Sequence, residues 1–277
     1  MKELTLGDFL RTRRASLTPG NADVPPIATR RVPGLRREEV ARRVGVSVDY
    51  YVKLEQGKRR ITPSGNVLHA LADVLQLDDP AREHMFDLAR LDNRRKIVHP
   101  AAAQSVRPGT FQLMESFSGL PAILVGRRTD VLAANALARR LIHDFPALPA
   151  RERNAVRWVL LDESARDIHQ DWYAAAAGLI GMLRMDLGRY PDDPKTIALI
   201  DELSAESAEF REIWAGGRVT RAYTVESKVI LHPEVGAVRL HVEAVRITED
   251  PDQTLHVMIP GPDAASQAAM TALRGLS

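Results

Sequence analysis

The stretch "LRREEVARRVGVSVDYYVKLEQG", residues 35–57, places two short amphipathic segments on either side of Gly-Val-Ser. In the first, Leu35, Val40 and Val44 fall on one helical face. Gly45 tolerates the positive φ common just past a helix end, and Ser47 is a good N-cap for the second segment. In that segment, Val48 to Gln56, Tyr51 and Leu54 lie on one side while Asp49, Tyr50 and Lys53 point elsewhere, and Gly57 closes the run. Two helices joined this way have the spacing of a helix-turn-helix: Ala41 is small where the helices touch, Val46 is apolar beneath the turn, and Leu54 closes the core. That geometry lays the second helix in the major groove of DNA, with the first crossing the backbone above it.

On this reading Tyr51 belongs to the core. Ser47, Val48, Asp49, Tyr50 and Lys53 line the face that meets base edges and phosphates, and Lys58, Arg59 and Arg60 come next in the loop as phosphate contacts. Asp49 has two readings, accepting from a cytosine amino group, or capping the helix or pairing with a cation. "EEVARR" also reads as a solvated face with i,i+4 pairs from Glu38 to Arg42 and Glu39 to Arg43. Charge favours the nucleic-acid reading. Residues 1–96 carry 19 Lys+Arg against 13 Asp+Glu, residues 97–277 carry 19 against 23, and residues 30–60 alone hold ten cations and four anions. A basic excess focused in one window is the footprint of a nucleic-acid site.

Outward from the motif, "ELTLGDFLRTRRASL" predicts a first helix over about 4–15, and "GNVLHALADVLQL" and "AREHMFDLARL" two more, so that five helices make an all-α domain over 1–96. Between the first two helices, "TPGNADVPPIATRRVPG" holds too many prolines and glycines for a helix. Residues 97–109 read as a linker. Beyond it the period changes. "PAILVGRRTDVLAAN" predicts two short strands around a tight turn. Helices are expected over about 164–190 and 194–214, then alternating strands in "RAYTVESKVILHP", "GAVRLHVEAVRI" and "QTLHVMIPG", and a closing helix in "PDAASQAAMTALRG". Residues 110–277 are thus an α+β domain that wraps a small antiparallel sheet.

Composition sets limits on function. With 277 residues and 45% hydrophobic content the chain can fill two cores, and with no cysteine it has no disulfide or thiolate chemistry. No apolar run reaches membrane-spanning length, so a soluble, cytoplasmic protein is expected. His143, His169, His232, His241 and His256 are scattered without metal-ligand spacing, and no cofactor is expected. An enzyme needs a nucleophile with its base, a phosphate-cradling glycine loop or a carboxylate pair; "GAVRLHVE" and "AGGRV" offer none of these. "DESARD" and "PDDP" read as solvated loop or helix-start charge.

"RRVPGLRREEVARRVGVSVDYYVKLEQG" resembles the XRE-type helix-turn-helix regulators of the MmyB-like subgroup, and "PAILVGRRTDVLAAN", "RERNAVRWVLLDESARD", "LSAESAEFREIWA" and "HPEVGAVRLHVEAVRI" extend the resemblance through the second domain. The resemblance implies a PAS-like second domain that takes a small lipophilic ligand, fatty-acid-like in proposals for the family, and hence a ligand-responsive regulator that binds double-stranded DNA, expected as a homodimer. It also places Arg37 where XRE proteins commonly contact DNA. The chain departs from the family in carrying Thr129 and Ala134 where tryptophans are frequent, and "GGRV" (Gly216 to Val219) where His-Asp-Val is common. If the missing indoles line a pocket, that pocket is reshaped. Candidate pocket walls are Leu124, Val131, Trp158, Trp172, Met182, Leu183 and Trp214, each of which also reads as ordinary core. The rival reading makes the second domain a dimerisation or protein-interaction module without a small molecule.

Overall fold

The structure, a computed structural model, describes residues 5–17, 34–57, 61–93, 104–217 and 228–276. The chain divides into two compact units, residues 1–99 and 100–277.

The described part of the first unit is helical: α1 (Leu6–Ser16), α2 (Arg37–Val44), α3 (Val48–Glu55), α4 (Gly65–Val74) and α5 (Asp79–Asn93). Thr5, Ser47 and Ser64 each accept a hydrogen bond from a first-turn N–H and so start α1, α3 and α4. Leu6, Phe9 and Leu10 of α1, Val40 of α2, Tyr51 of α3, Leu71 of α4 and Met85 of α5 are almost wholly buried. Truncating any one of these costs about 2–5 kcal/mol. Gly7 is fixed by a close approach, because a Cβ there would lie 2.5 Å from the Glu55 carbonyl oxygen where α1 meets α3.

The second unit begins with α6 (Pro108–Ser116), then β1 (Ala122–Val125) and β2 (Val131–Ala134), and the run α7 (Ala136–Leu141), α8 (Ala155–Leu161), α9 (Glu163–Ile168), α10 (Trp172–Arg189), α11 (Pro194–Glu206) and α12 (Ala208–Ala215). It closes with β3 (Lys228–His232), β4 (Gly236–Arg246), β5 (Thr254–Pro260) and α13 (Ala264–Gly275). The strands form one antiparallel sheet in the order β2-β1-β5-β4-β3. Strand alternation sorts the side chains. Ile123, Val125, Val242 and Met258 face the main core built with α7, α8, α10 and α13, whereas Ala122, Leu124, Leu255 and Val257 face a smaller core closed by Met114 of α6.

Two expected long helices are each interrupted. The helix expected over 164–190 breaks because His169 adopts an extended backbone and forms a β-bridge with Ile230, after which the Asp171 carboxylate starts α10 by accepting the Ala174 N–H at 2.9 Å. The stretch 194–214 breaks at Ser207, extended at φ −121°, whose hydroxyl accepts the Phe210 N–H at 3.0 Å and starts α12. The strand expected from Arg221 appears over 228–232 within the described residues; its earlier part lies outside them. The β1–β2 turn holds Arg128 and Thr129 in the left-handed region, φ 59° and 63°. Buried polar contacts hold that turn. The Arg128 guanidinium pairs with Asp130 and Asp193, each at 2.6 Å, and Asn154 donates to the Arg128 carbonyl at 2.7 Å. Asp193 of "PDDP" therefore does start a helix, as the N-cap of α11, but it is buried rather than solvated. Thr129 is fully buried, bonding Asn154 and the Val156 N–H.

Candidate functional site

The turn between α2 and α3 is built by backbone chemistry. Gly45 sits at φ 78°, and the Val46 N–H donates to the Ala41 carbonyl at 3.0 Å, closing α2. Ser47 accepts the Tyr50 N–H at 3.1 Å, opening α3. Beneath them Glu55, 1% exposed, receives Arg14 Nε at 2.6 Å and Arg37 Nε at 2.7 Å, while another Arg14 nitrogen donates to the Leu35 carbonyl at 2.7 Å. Burial alone would raise the Glu55 carboxyl, but the two guanidiniums outweigh it and hold the group below the usual carboxylate range. The cluster pins α1, the start of α2 and the end of α3 together, and thereby sets the attitude of α3.

Ser47, Val48 and Asp49 are exposed at the N-terminal end of α3, with Tyr50 and Lys53 half-buried beside them. Val48 leaves 43% of its surface open. Lys53 Nζ is bound to Asp49 at 2.5 Å, so the lysine of this face is matched by its own carboxylate. That pairing places Asp49 with a lysine rather than at the helix cap, which Ser47 occupies. Arg37, bound to Glu55 through Nε, keeps its side chain 44% exposed. Tyr51 is fully buried. Lys58, Arg59 and Arg60 lie outside the described residues.

In the second unit a cavity of about 80 Å³ lies between the sheet and α8, α9 and α10, several times the roughly 10–15 Å³ that one water requires by the same measure. Ile123 and Val125 of β1, Val131 of β2, Val242 of β4 and Met258 of β5 line the sheet side; Trp158 of α8, Leu179 and Met182 of α10, and Ile142, Phe145 and Ala155 line the rest. Of the seven residues expected as walls, Val131, Trp158 and Met182 lie here. The other four point elsewhere for identifiable reasons. Leu124 is one residue out of phase on β1 and faces the Met114 core. Leu183 is fully buried in the main core. The Trp172 indole N–H donates to the Val159 carbonyl at 2.7 Å under the Arg166 guanidinium, and Trp214 stacks on Phe210. Neither Thr129 nor Ala134 lines the cavity.

Three basic side chains complete the lining: His169 at the end of α9, Lys228 at the start of β3 and His256 in β5. Burial, with the Lys228 charge adding to it, pushes His256 and His169 down to about 4, and burial pushes Lys228 down to about 8. Spacing in the sequence tests the histidines only as metal ligands and so misses this grouping. The usable signal is parity: His256 shares its strand face with Met258, where an apolar residue is the norm. Among the described residues no group of three or more His, Asp or Glu converges as metal ligands, and no helix is long and apolar enough to cross a membrane.

Comparison with known families gives two matches. A helix-turn-helix domain model covers residues 5–85, and the model described as the MmyB-like transcription regulator ligand binding domain covers residues 106–273. No curated protein matches the chain.

Proposed function

The chain belongs to the MmyB-like transcription regulators, and from that premise we propose that α3 reads operator DNA while the cavity of the second unit takes a small, mainly apolar ligand that modulates the reading. The observation that carries the DNA half is the exposed N-terminal end of α3, set by the Glu55 cluster and offering Ser47, Val48 and Tyr50 to base edges. Arg37, with Lys58, Arg59 and Arg60, supplies phosphate contacts. These position the helix without specifying sequence. The protein acts by binding rather than by catalysis, inside the cell, as a homodimer on two half-sites about one helical turn, roughly 34 Å, apart.

The carrier for the ligand half is the cavity itself, lined mainly by aliphatic and aromatic side chains in the α+β unit. A ligand acts on DNA binding only through unequal affinity for the arrangements that do and do not fit the operator. Selection of bound sequences from a random DNA library tests the DNA half. The full chain should enrich a two-fold symmetric site. Replacing Lys58, Arg59 and Arg60 by alanine should lower affinity on every sequence and flatten the salt dependence by about 0.9 in log-log slope for each phosphate no longer neutralised. Native mass spectrometry of the chain as purified tests the rest, since a dimer carrying a releasable small molecule is expected and a bare monomer contradicts both the assembly and the ligand.

A further inference from the structure

We propose that the outer face of the sheet, on β3, β4 and the end of β5, is the interface between two copies of this chain, packed face to face about a two-fold axis that crosses β4 at His241. The inference rests on reading the protein as a homodimer and adds the surface and its register.

Strand alternation sends Val238, Leu240 and Val242 into the main core and turns Ala237, Arg239, His241, Glu243 and Val245 outward, where all five are exposed. α6 closes one end of that outer face, its Met114 packing on Leu255 and Val257, which stand opposite Val245 and Glu243. The other end stays open. Leu231 projects there opposite Ala237, and Ile259 opposite His241. Of the eight large apolar side chains that the described residues leave exposed, Leu231, Val245 and Ile259 belong to this face, and Leu113 of α6 shares a groove with Val245. Half of them thus collect on one side of one sheet, which marks a surface with a partner.

Charge selects the occupant. Charged residues of an antiparallel sheet gain from an opposite charge on the neighbouring strand, but Arg239 stands opposite Val229 and Glu243 opposite Val257. Within the chain Arg239 reaches Asp263 at 3.9 Å and Glu243 lies 3.1 Å from His241 Nε2, all of these side chains being exposed. Along β4 the outward order is apolar, cation, His241, anion, apolar. A half-turn about an axis in the interface plane, perpendicular to β4 at His241, reverses that order in the second copy. It sets Arg239 against the partner's Glu243 twice and Ala237 against the partner's Val245 twice, while Ile259 meets its own counterpart beside the axis. Sheets packed this way lie about 10 Å apart, a gap that an arginine and a glutamate reaching towards each other span. The same half-turn carries α6 to the open end of the partner's face, so the two helices take opposite ends. An isologous dimer needs this self-complementarity, whereas a strongly acidic or basic partner needs a face of one sign.

The test is sedimentation velocity of the full chain, alone and on its selected operator. The parent chain should be dimeric in both states. Arg239→Glu gives β4 two outward anions and Glu243→Arg two outward cations, and each should weaken self-association about tenfold or more. Mixing the two variants should restore dimers, and so should the double variant R239E/E243R. The two positions lie about 13 Å apart along one strand, so recovery cannot arise within a chain. Val245→Asp should weaken the dimer without rescue by either route, and an unchanged tryptophan-fluorescence midpoint shows that each variant is folded. A parent dimer indifferent to all three substitutions overturns this face and leaves the homodimer standing. Weakening without recovery in the mixture or the double variant overturns the register, and the proposal with it. A parent chain that is monomeric without DNA overturns the interface and leaves the face to another occupant; one that is monomeric on the operator as well overturns the homodimer too.

Discussion

The two units bury charge in opposite ways. In the first, the Glu55 carboxylate is enclosed by two guanidiniums at 2.6 and 2.7 Å, and each partner is committed to the fold. In the second, three bases line one cavity with no acid among the described lining residues, and burial holds all of them towards their neutral forms. The first arrangement is complete without a further molecule and serves to aim a helix. In the second, the His256 ring nitrogens and the Trp158 indole nitrogen have no hydrogen-bond partner among the described residues. Geometry that stabilises and geometry that waits for a partner are distinguishable here by which hydrogen bonds are already made.

The contrast predicts opposite signs for substitutions at the two clusters. Glu55→Ala leaves a buried guanidinium uncompensated and should cost about 3–5 kcal/mol in urea unfolding monitored by circular dichroism; a loss below about 1 kcal/mol would break the comparison. His256→Leu removes an unsatisfied buried group and should instead raise stability by about 1–3 kcal/mol near neutral pH. All three tryptophans lie in the second unit, so their fluorescence reports that transition alone.

The sign of the pH dependence comes from the same pole. His256 and His169 titrate in the fold at about 4, below their ordinary 6.5, so their contribution is full above about 6.5 and is lost as pH falls towards 4. The fluorescence-detected midpoint should therefore drop across that window, and His256→Leu should flatten the drop. A midpoint that held steady in the parent chain would place the histidines outside the apolar pole.

On the DNA face, Val48→Ala or Tyr50→Ala should change the preferred base at one position of each half-site, with discrimination reduced by about 1–3 kcal/mol. A uniform loss on all sequences would remove these residues from base reading. The smallest effect belongs to the exposed Asp49–Lys53 pair. Asp49→Ala should cost only about 0.3–0.5 kcal/mol of stability, while freeing Lys53 to steepen the salt dependence of DNA binding by about 0.9 in slope.

How much of the molecule is legible in its sequence depends on how local each cause is. Gly45, Ser47 and the Tyr51–Leu54 spacing act within a few residues, so the helix-turn-helix can be read directly, as can the "GRRTD" turn and the β3–β4 hairpin. The breaks at His169 and Ser207 cannot. Both stretches carry continuous helical propensity, and the first is interrupted by a pairing with Ile230 far along the chain. α6 escapes a periodicity reading because its 9 residues carry few apolar positions, with Met114 as its buried hydrophobic anchor. At the cavity, element type is readable and phase is not: Leu124 and Leu183 each sit next to a residue that does line it, Ile123 or Val125 and Met182. The basic pole is only partly visible in sequence: strand parity marks His256, whereas His169 and Lys228 join it only through the fold.

The most direct test of the account is the affinity of the full chain for its selected operator, measured across a series of straight-chain acids and matching alcohols and repeated with Met182→Trp, which fills the cavity. The account predicts that at least one of these compounds shifts the operator Kd by about 5–150-fold, and that the filled variant binds the operator but ignores that compound. An operator Kd unchanged across the whole series, or a shift undiminished in Met182→Trp, contradicts the coupling of this cavity to DNA.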